Sequence, residues 1–354
     1  MGLPGFRKAI QPACERLIVS DLIEADKTLG VDAFVPLHKF VTRHATLLQD
    51  EQHDDYNKGC ARVAEDYRNW IIFLQSKGVK VLSVFDGAKM PGKIVNMSRR
   101  LSIARAQASY DTLMLDHHHG LSKSAQSEFD AEVRKLLKQM AAVKEPVVMA
   151  CLAELRKSGL SYIRAPYEAD AQLVHEVKIG TVQAVYTEDS DLIIHGVDHV
   201  IVAYNKLRDH SFCSVTQAAL AAHEQEDPLN PLLGTIHDMV HTQQWKVSDV
   251  LVPYSILMGC DYMKKVRNVT SIRACSIIRG MTASTPKQLL ASCKGYQCQT
   301  EKGDRKIVLR DTLGEEIDRA WKCFRAPWVY DNASNTFKLL NELHDLDHAW
   351  NALH

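Results

Sequence analysis

Seven carboxylates in this chain sit where apolar stretches end, and their type and spacing suit the holding of divalent cations. Asp32 closes TLGVD, Asp86 follows VLSVF, and Glu168 and Asp170 flank one small residue in APYEADAQL. Asp189 and Asp191 fall in TEDSD after VQAVY, and Asp261 follows an apolar run ending in MGC. Each segment alone has a plainer reading, because early acids complement a helix dipole and Asp-rich turns are common. Spacing by two does not place Glu168 and Asp170 on one helix face, but at a strand-to-helix entry both can point into one crevice. Taken together, an oxygen-only set without His or Cys points to Mg²⁺, with Mn²⁺ as a substitute, rather than to zinc. More acids than one ion needs predicts two ions roughly 4 Å apart, the arrangement suited to phosphodiester hydrolysis. The chain has no GxGxxG after its first strand, no GxxxxGK[ST] and no GxSxG. Dinucleotide, P-loop and serine-hydrolase chemistry therefore have no support.

For these acids to meet, the elements before them must be adjacent strands. A helical pattern over Ala61–Ser76 stops at Gly78 and is followed by an apolar strand at 79–85. The unit recurs: a helix over 146–158 with Gly159 and strand YIRAP, then a helix over Tyr167–Lys178 with Gly180 and strand VQAVYT. Residues 199–204 form a further strand. Continuous apolar strands between helices predict an α/β fold with a mostly parallel central sheet flanked by helices. Sites in such sheets lie beyond the carboxyl ends of the strands, where these acids collect.

The predicted organisation is an α/β core over 1–222, an irregular insertion at 223–244 and a helical region over 245–354. Within the core, residues 93–145 read as a helical hairpin rising from the sheet. Basic residues Lys93, Arg99, Arg100 and Arg105 lie early in it, and DHHHGLSKS forms its turn. The final residues, including FKLLNELHDLDHAW, read as a helix packing on the body. From Tyr262 to Arg310 eleven basic residues face two acids, although the whole chain has a formal net charge of zero. That local excess beside Asp261 predicts duplex contact. With 354 residues and 46% apolar content, the composition excludes a fibre, a rod or extended disorder. Nine scattered cysteines indicate a reducing compartment without structural zinc, and no apolar run is long enough for a membrane helix.

The motifs MGLPGF, VDAFVPLHK, VFDGAKMPGK, APYEADAQL, TEDSDLIIHG and GCDY occur in one order from residue 1 onward. In these the chain resembles the structure-specific 5′ nuclease superfamily, most of all its exonuclease-one branch. The resemblance implies the PIN-like 5′ nuclease fold, with a helical arch and a C-terminal DNA-binding region. It implies that Asp32, Asp86, Glu168 and Asp170 gather at a first metal and Asp189, Asp191 and Asp261 at a second. Lys93 and Arg100 would contact the scissile phosphate, while Gly2, Arg99 and Arg105 would lie along the DNA. The family's helix–two-turn–helix carries Gly-x-Gly and a potassium ion. Here Asn268 and Thr270 stand at the glycine positions, which weakens the potassium expectation and leaves DNA contact to Lys264, Lys265 and Arg267. The implied activity is 5′→3′ exonuclease action on duplex ends or gaps, with 5′ flap incision. The alternative is a catalytically silent nucleic-acid-binding or scaffold relative. The implied setting is a nuclear monomer acting on DNA among repair proteins.

Overall fold

In the computed structural model, which describes residues 5–18, 27–50, 52–90, 93–94, 97–115, 122–203, 211–224, 230–299 and 306–341, the strands alternate with helices. The chain opens with helix α1 (Phe6–Ile10), a short 3₁₀ turn at Gln11–Ala13 and strand β1 (Glu15–Ile18). Strand β2 (Thr28–Asp32) leads into α2 (Phe34–Arg43), and α3 (Asp54–Ser76) into β3 (Lys80–Phe85). Two long helices follow, α4 (Met97–Leu115) and α5 (Lys123–Met140). Then come α6 (Glu145–Lys157), β4 (Tyr162–Arg164), α7 (Ala169–Lys178), β5 (Ala184–Tyr186) and α8 (Asp191–Ile194). After β6 (His199–Ala203) and β7 (Ser211–Thr216) lie α9 (Gln217–Ala222), α10 (Leu232–Gln243) and α11 (Val247–Met258). The described chain finishes with α12 (Ser271–Arg279), α13 (Pro286–Gln299), α14 (Leu313–Arg325) and the ribbon β8 (Trp328–Asp331)–β9 (Thr336–Leu339).

The seven-stranded sheet has the order β1-β7-β6-β5-β2-β3-β4. Strands β6 to β4 run parallel, and β7 and β1 add an antiparallel edge. From β2 the chain moves outward to β3 and β4, then crosses back to place β5 on the other side of β2. This reversal opens a crevice at the carboxyl ends of β2 and β5, where α/β sheets bind ligands.

Alternation along the strands divides the core into two layers. Leu29, Val31, Val81, Phe85 and Tyr186 pack with Leu37, Tyr67 and Leu155 of the helices on one face. Leu82, Val84, Val185 and Val200 pack with Leu173, Ile256 and Phe324 on the other. Helix α3 buries Tyr56, Cys60, Val63, Tyr67, Ile71 and Leu74, a stripe at helical spacing. It begins seven residues earlier than the Ala61 start read from sequence, where His53 accepts a hydrogen bond from the Asp55 amide at 3.2 Å. The polar DDYNKG segment hid that first turn. Gly78, Gly159 and Gly180 all have positive φ, as expected of helix stops.

Other readings need correction. Residues 223–244, expected as irregular, contain α10, which follows Pro231 and buries Leu232, Leu233, Ile236 and Met239. The FKLL segment lies in and just after β9 rather than in a helix. Its pairing with β8 turns at Asn335, whose φ is 54°. Residues 342–354, Gly2 and His117–His119 lie outside the described residues, as does the side chain of Arg99. The arch helices α4 and α5 are present, but their base is packed: Ala106, Tyr110, Leu136 and Leu137 close over Ala45 at the end of α2.

A candidate metal centre and nucleic-acid interface

The crevice collects the carboxylates from four strand ends. Asp32 terminates β2, accepting hydrogen bonds from the Phe34 amide and the Thr187 hydroxyl, both at 3.1 Å. The same hydroxyl oxygen accepts the Asp189 amide at 3.0 Å, so one side chain joins the β2 and β5 ends. Asp86 accepts the first amide of α7, from Ala169, at 2.8 Å. Glu168 sits at the N-cap of that helix with extended backbone, and Asp170 lies in its first turn. The Asp191 amide donates to Asp189 at 3.3 Å. Oxygens of Asp170, Asp189 and Asp191 all lie within 4.8 Å of one another.

Two glycines permit this convergence. A β-carbon on Gly30 would stand 2.7 Å from Leu173 and 2.9 Å from Val182, so its absence lets α7 settle on β2. At Gly87 a β-carbon would stand 1.9 Å from the carbonyl oxygen of Ala165. There the chain after Asp86 runs against the β4 end, with the Gly87 amide bonded to the Tyr167 carbonyl at 2.6 Å.

Gathering these acids costs charge repulsion. Burial, then the charges of Asp86 and Asp189, push the Asp32 carboxyl up to about 7, against the pull of Thr187 and the Phe34 amide. Burial first and neighbouring carboxylates second also raise Asp170 and Asp191 well above the usual range. Asp86 is raised by burial and restrained by the Ala169 amide. A divalent cation fits this set, because it is all oxygen, buried, close-spaced and in excess of negative charge. The linkage has a definite sign. A carboxyl whose folded pKa is raised contributes stability at low pH and loses it as pH rises through the folded value. Metal-free protein is thus expected to be less stable at about pH 7.5 than at about pH 5, with Asp32 alone contributing on the order of 2 kcal/mol to the difference. Urea unfolding in chelator at the two values measures this difference, and saturating Mg²⁺ should remove most of it.

Lys93, read from sequence as a phosphate contact, bridges the two flanks of the site. It pairs with Glu168 and, at 2.9 Å, with Asp261. Burial works against its charge, but those two carboxylates outweigh burial and hold it protonated. The next amide, of Ile94, donates to the Asp261 carbonyl at 2.7 Å, fixing the arch base to the end of α11. Arg100 and Arg105 are exposed on α4. Sequence reasoning missed Tyr262, Arg7 and Thr187. The buried Tyr262 hydroxyl donates to Glu168 at 2.7 Å while its ring meets Phe324 edge-on at 5.0 Å. Arg7 of α1 donates to the Glu188 carbonyl, and Lys39 of α2 pairs with the Glu188 side chain. Both Tyr262 and Thr187 lie inside the quoted motifs, yet their contacts span distant segments.

The family described as the XPG I-region matches residues 159–261, which include Glu168, Asp170, Asp189, Asp191 and Asp261. Exonuclease 1 of Drosophila melanogaster is 24% identical over 348 residues, covering 98% of this chain and 42% of the relative. Exodeoxyribonuclease 1 of Schizosaccharomyces pombe is 31% identical over 202 residues, covering 57% of this chain and 32% of the relative. In these matches the chain is similar to structure-specific 5′ nucleases. It spans about a third to two-fifths of the length of these exonuclease relatives. The catalytic core of Rad2 in complex with DNA substrate shares the fold of this chain. Its TM-score is 0.56 at 15% identity, covering 99% of this chain and 94% of that one.

The hairpin after Asp261 is unstrained despite lacking Gly-x-Gly. Gly259 has φ 91°, and a β-carbon there would stand 2.7 Å from the Lys265 amide nitrogen. Asn268 takes the left-handed φ of 65° that the first glycine position calls for. Thr270 does not need that conformation. Its φ is −95°, and its hydroxyl caps α12 by accepting the Arg273 amide at 3.3 Å. Lys264, Lys265 and Arg267 are exposed, and Arg267 forms a β-bridge with Val308, bringing Lys306 and Arg310 to the same surface.

Proposed function

We propose that this chain is a metal-dependent nuclease that hydrolyses DNA phosphodiesters at 5′ ends, gaps or flaps. The observation that carries the reading is the convergence of Asp170, Asp189 and Asp191 at the sheet crevice, beside an ammonium delivered from the arch base. Asp32, Asp86, Glu168, Asp170, Asp189, Asp191 and Asp261 would hold two Mg²⁺ ions, with Mn²⁺ able to substitute. The bound ions supply an activated water and neutralise phosphate charge. Lys93 turns from Glu168 and Asp261 to the scissile phosphate when substrate enters, and Arg100 adds a second positive charge there. Arg105, exposed on α4, meets the strand under the arch in this reading, and Arg99 and Gly2 are further expected DNA contacts. The Rad2 core is seen with DNA substrate, and GEN1, of the same fold at TM-score 0.54, with product DNA and Mg²⁺. A nuclear setting among DNA repair proteins follows from the same reading. No helix among the described residues is long and apolar enough to cross a membrane.

Duplexes with blunt, recessed, gapped or flapped 5′ ends, labelled internally and at the 5′ end, test the proposal. Metal-dependent mononucleotide release supports 5′→3′ exonuclease action, and release of an intact flap supports incision. Binding without cleavage in Mg²⁺ and Mn²⁺ would leave the silent-relative reading. Lys264, Lys265 and Arg267 serve the duplex backbone in this scheme. Each neutralised in turn should weaken binding for all sequences alike and lower the salt-dependence slope by about one. Fluorescence anisotropy across a salt series measures that slope.

A further inference from the structure

A cavity of about 440 Å³ lies between α1, the 3₁₀ turn and strands β6 and β7, and Asp189 is among the residues that line it. Two cysteines, Cys14 and Cys213, share its lining with Arg7. The β1–β7 ladder sets Arg16 opposite Cys213 and Glu15 opposite Ser214. Cys14, one residue before the strand and extended in backbone, therefore falls diagonal to Cys213 on the same side of the ribbon. The two thiols lie close enough to influence each other's ionisation, and the Cys14 thiol donates to the Ile10 carbonyl at 3.4 Å.

We propose that Cys14 and Cys213 form a peroxide-responsive dithiol that closes to a reversible disulfide beside the metal loop. The interaction with Cys14 and, more weakly, the charge of Arg7 lower the Cys213 thiol against its burial. The same interaction with Cys213, and then burial, push the Cys14 thiol far up, and burial pushes Cys151, Cys260 and Cys293 up to about 12 and Cys275 and Cys323 up to about 11. The Cys213 thiolate attacks hydrogen peroxide, forming an S–O bond as the O–O bond breaks. The departing hydroxide takes a proton and leaves as water. Cys14 sulfur then attacks Cys213 sulfur, forming the S–S bond while the S–O bond breaks and a second water leaves. Two thiols are oxidised by two electrons, and one peroxide is reduced to two waters. Diagonal neighbours stand roughly 7–8 Å apart, whereas a disulfide spans roughly 4.4–6.8 Å between Cα atoms, so closing the pair moves the Cys14 backbone toward Cys213. Cys14 can supply that movement because it ends a 3₁₀ turn and lies outside the ladder.

Purified protein treated with hydrogen peroxide should lose about 2 Da and two alkylatable thiols, both restored by dithiothreitol. A non-reduced peptide map should join the Cys14 and Cys213 peptides. Cys260, also partly buried, is the internal control and should react about ten-fold more slowly. Cys14→Ser should accumulate a dimedone-reactive sulfenic acid at Cys213, and Cys213→Ser should remove the fast phase entirely. Oxidation of Cys213 no faster than Cys260, a sulfenic acid persisting in the unsubstituted protein, or linkage to another cysteine would overturn the proposal.

Discussion

Asp189→Asn should abolish metal-dependent cleavage and, at the same time, make the metal-free protein more stable. Asp189 is the carboxylate whose charge bears on Asp32, Asp86, Asp170 and Asp191 together. Asparagine keeps an oxygen to accept the Asp191 amide, now made at 3.3 Å, and removes only the charge. In the proposed nuclease the loss of one metal-holding oxygen with its charge costs several kcal/mol at the transition state, roughly a thousand-fold in rate. Without metal the same change relieves repulsion and is expected to stabilise the fold by roughly 1 kcal/mol. Thermal unfolding in chelator should show the gain, and adding Mn²⁺ should shift the variant far less than the unsubstituted protein. A variant that loses both activity and metal-free stability would mean that Asp189 serves the fold more than the ions.

Gly87→Ala is expected to damage the site through the backbone alone. The added methyl would meet the carbonyl oxygens of Ala165 at 1.9 Å and Pro166 at 2.7 Å, neither of them the end of a flexible side chain. Relief requires the β3 end to move away from the β4 end, taking Asp86 off the Ala169 amide and parting it from Glu168. The cost is on the order of 3 kcal/mol, at the upper end for one added methyl. Denaturant unfolding should report that loss, and Mn²⁺ titration should show weakened binding in whatever protein remains folded. Gly295→Ala is a useful contrast, because a β-carbon there meets nothing within 4 Å and its backbone does not take a positive φ.

The parts of this fold legible in the sequence are those with local causes. Buried parallel strands appear as continuous apolar runs, glycines stop the preceding helices, and acids at strand ends follow from where such sheets bind ligands. Strands β1 and β7 escaped notice because ERLI and SFCSVT are short, mixed edge sequences whose pairing partners lie far away in the chain. Helix α10 was hidden by the acidic, proline-containing stretch before it, although Leu232, Leu233, Ile236 and Met239 recur at helical spacing. Within the site, Asp32 and Asp86 could be read from their strands. The Thr187 link, the Tyr262 hydroxyl on Glu168 and the Lys93 bridge depend on tertiary neighbours that no local pattern encodes. At the hairpin, the sequence raised a conflict that the backbone avoids, since only Asn268 requires a left-handed turn.

The reversal of strand order at β2 has a consequence for how the protein comes into being. Its acids are contributed by chain positions as far apart as Asp32 and Asp261, and Asp261 is held in place only after α11 has docked and the arch base has reached back to it. Long-range pairings of this kind form late, since their loop-closure entropy must be met before they return anything. A nascent chain emerging in order from its N-terminus therefore carries only fragments of the cation site until residue 261 has left the ribosome. Cation affinity should thus appear as one of the last properties acquired, after the rest of the sheet has formed.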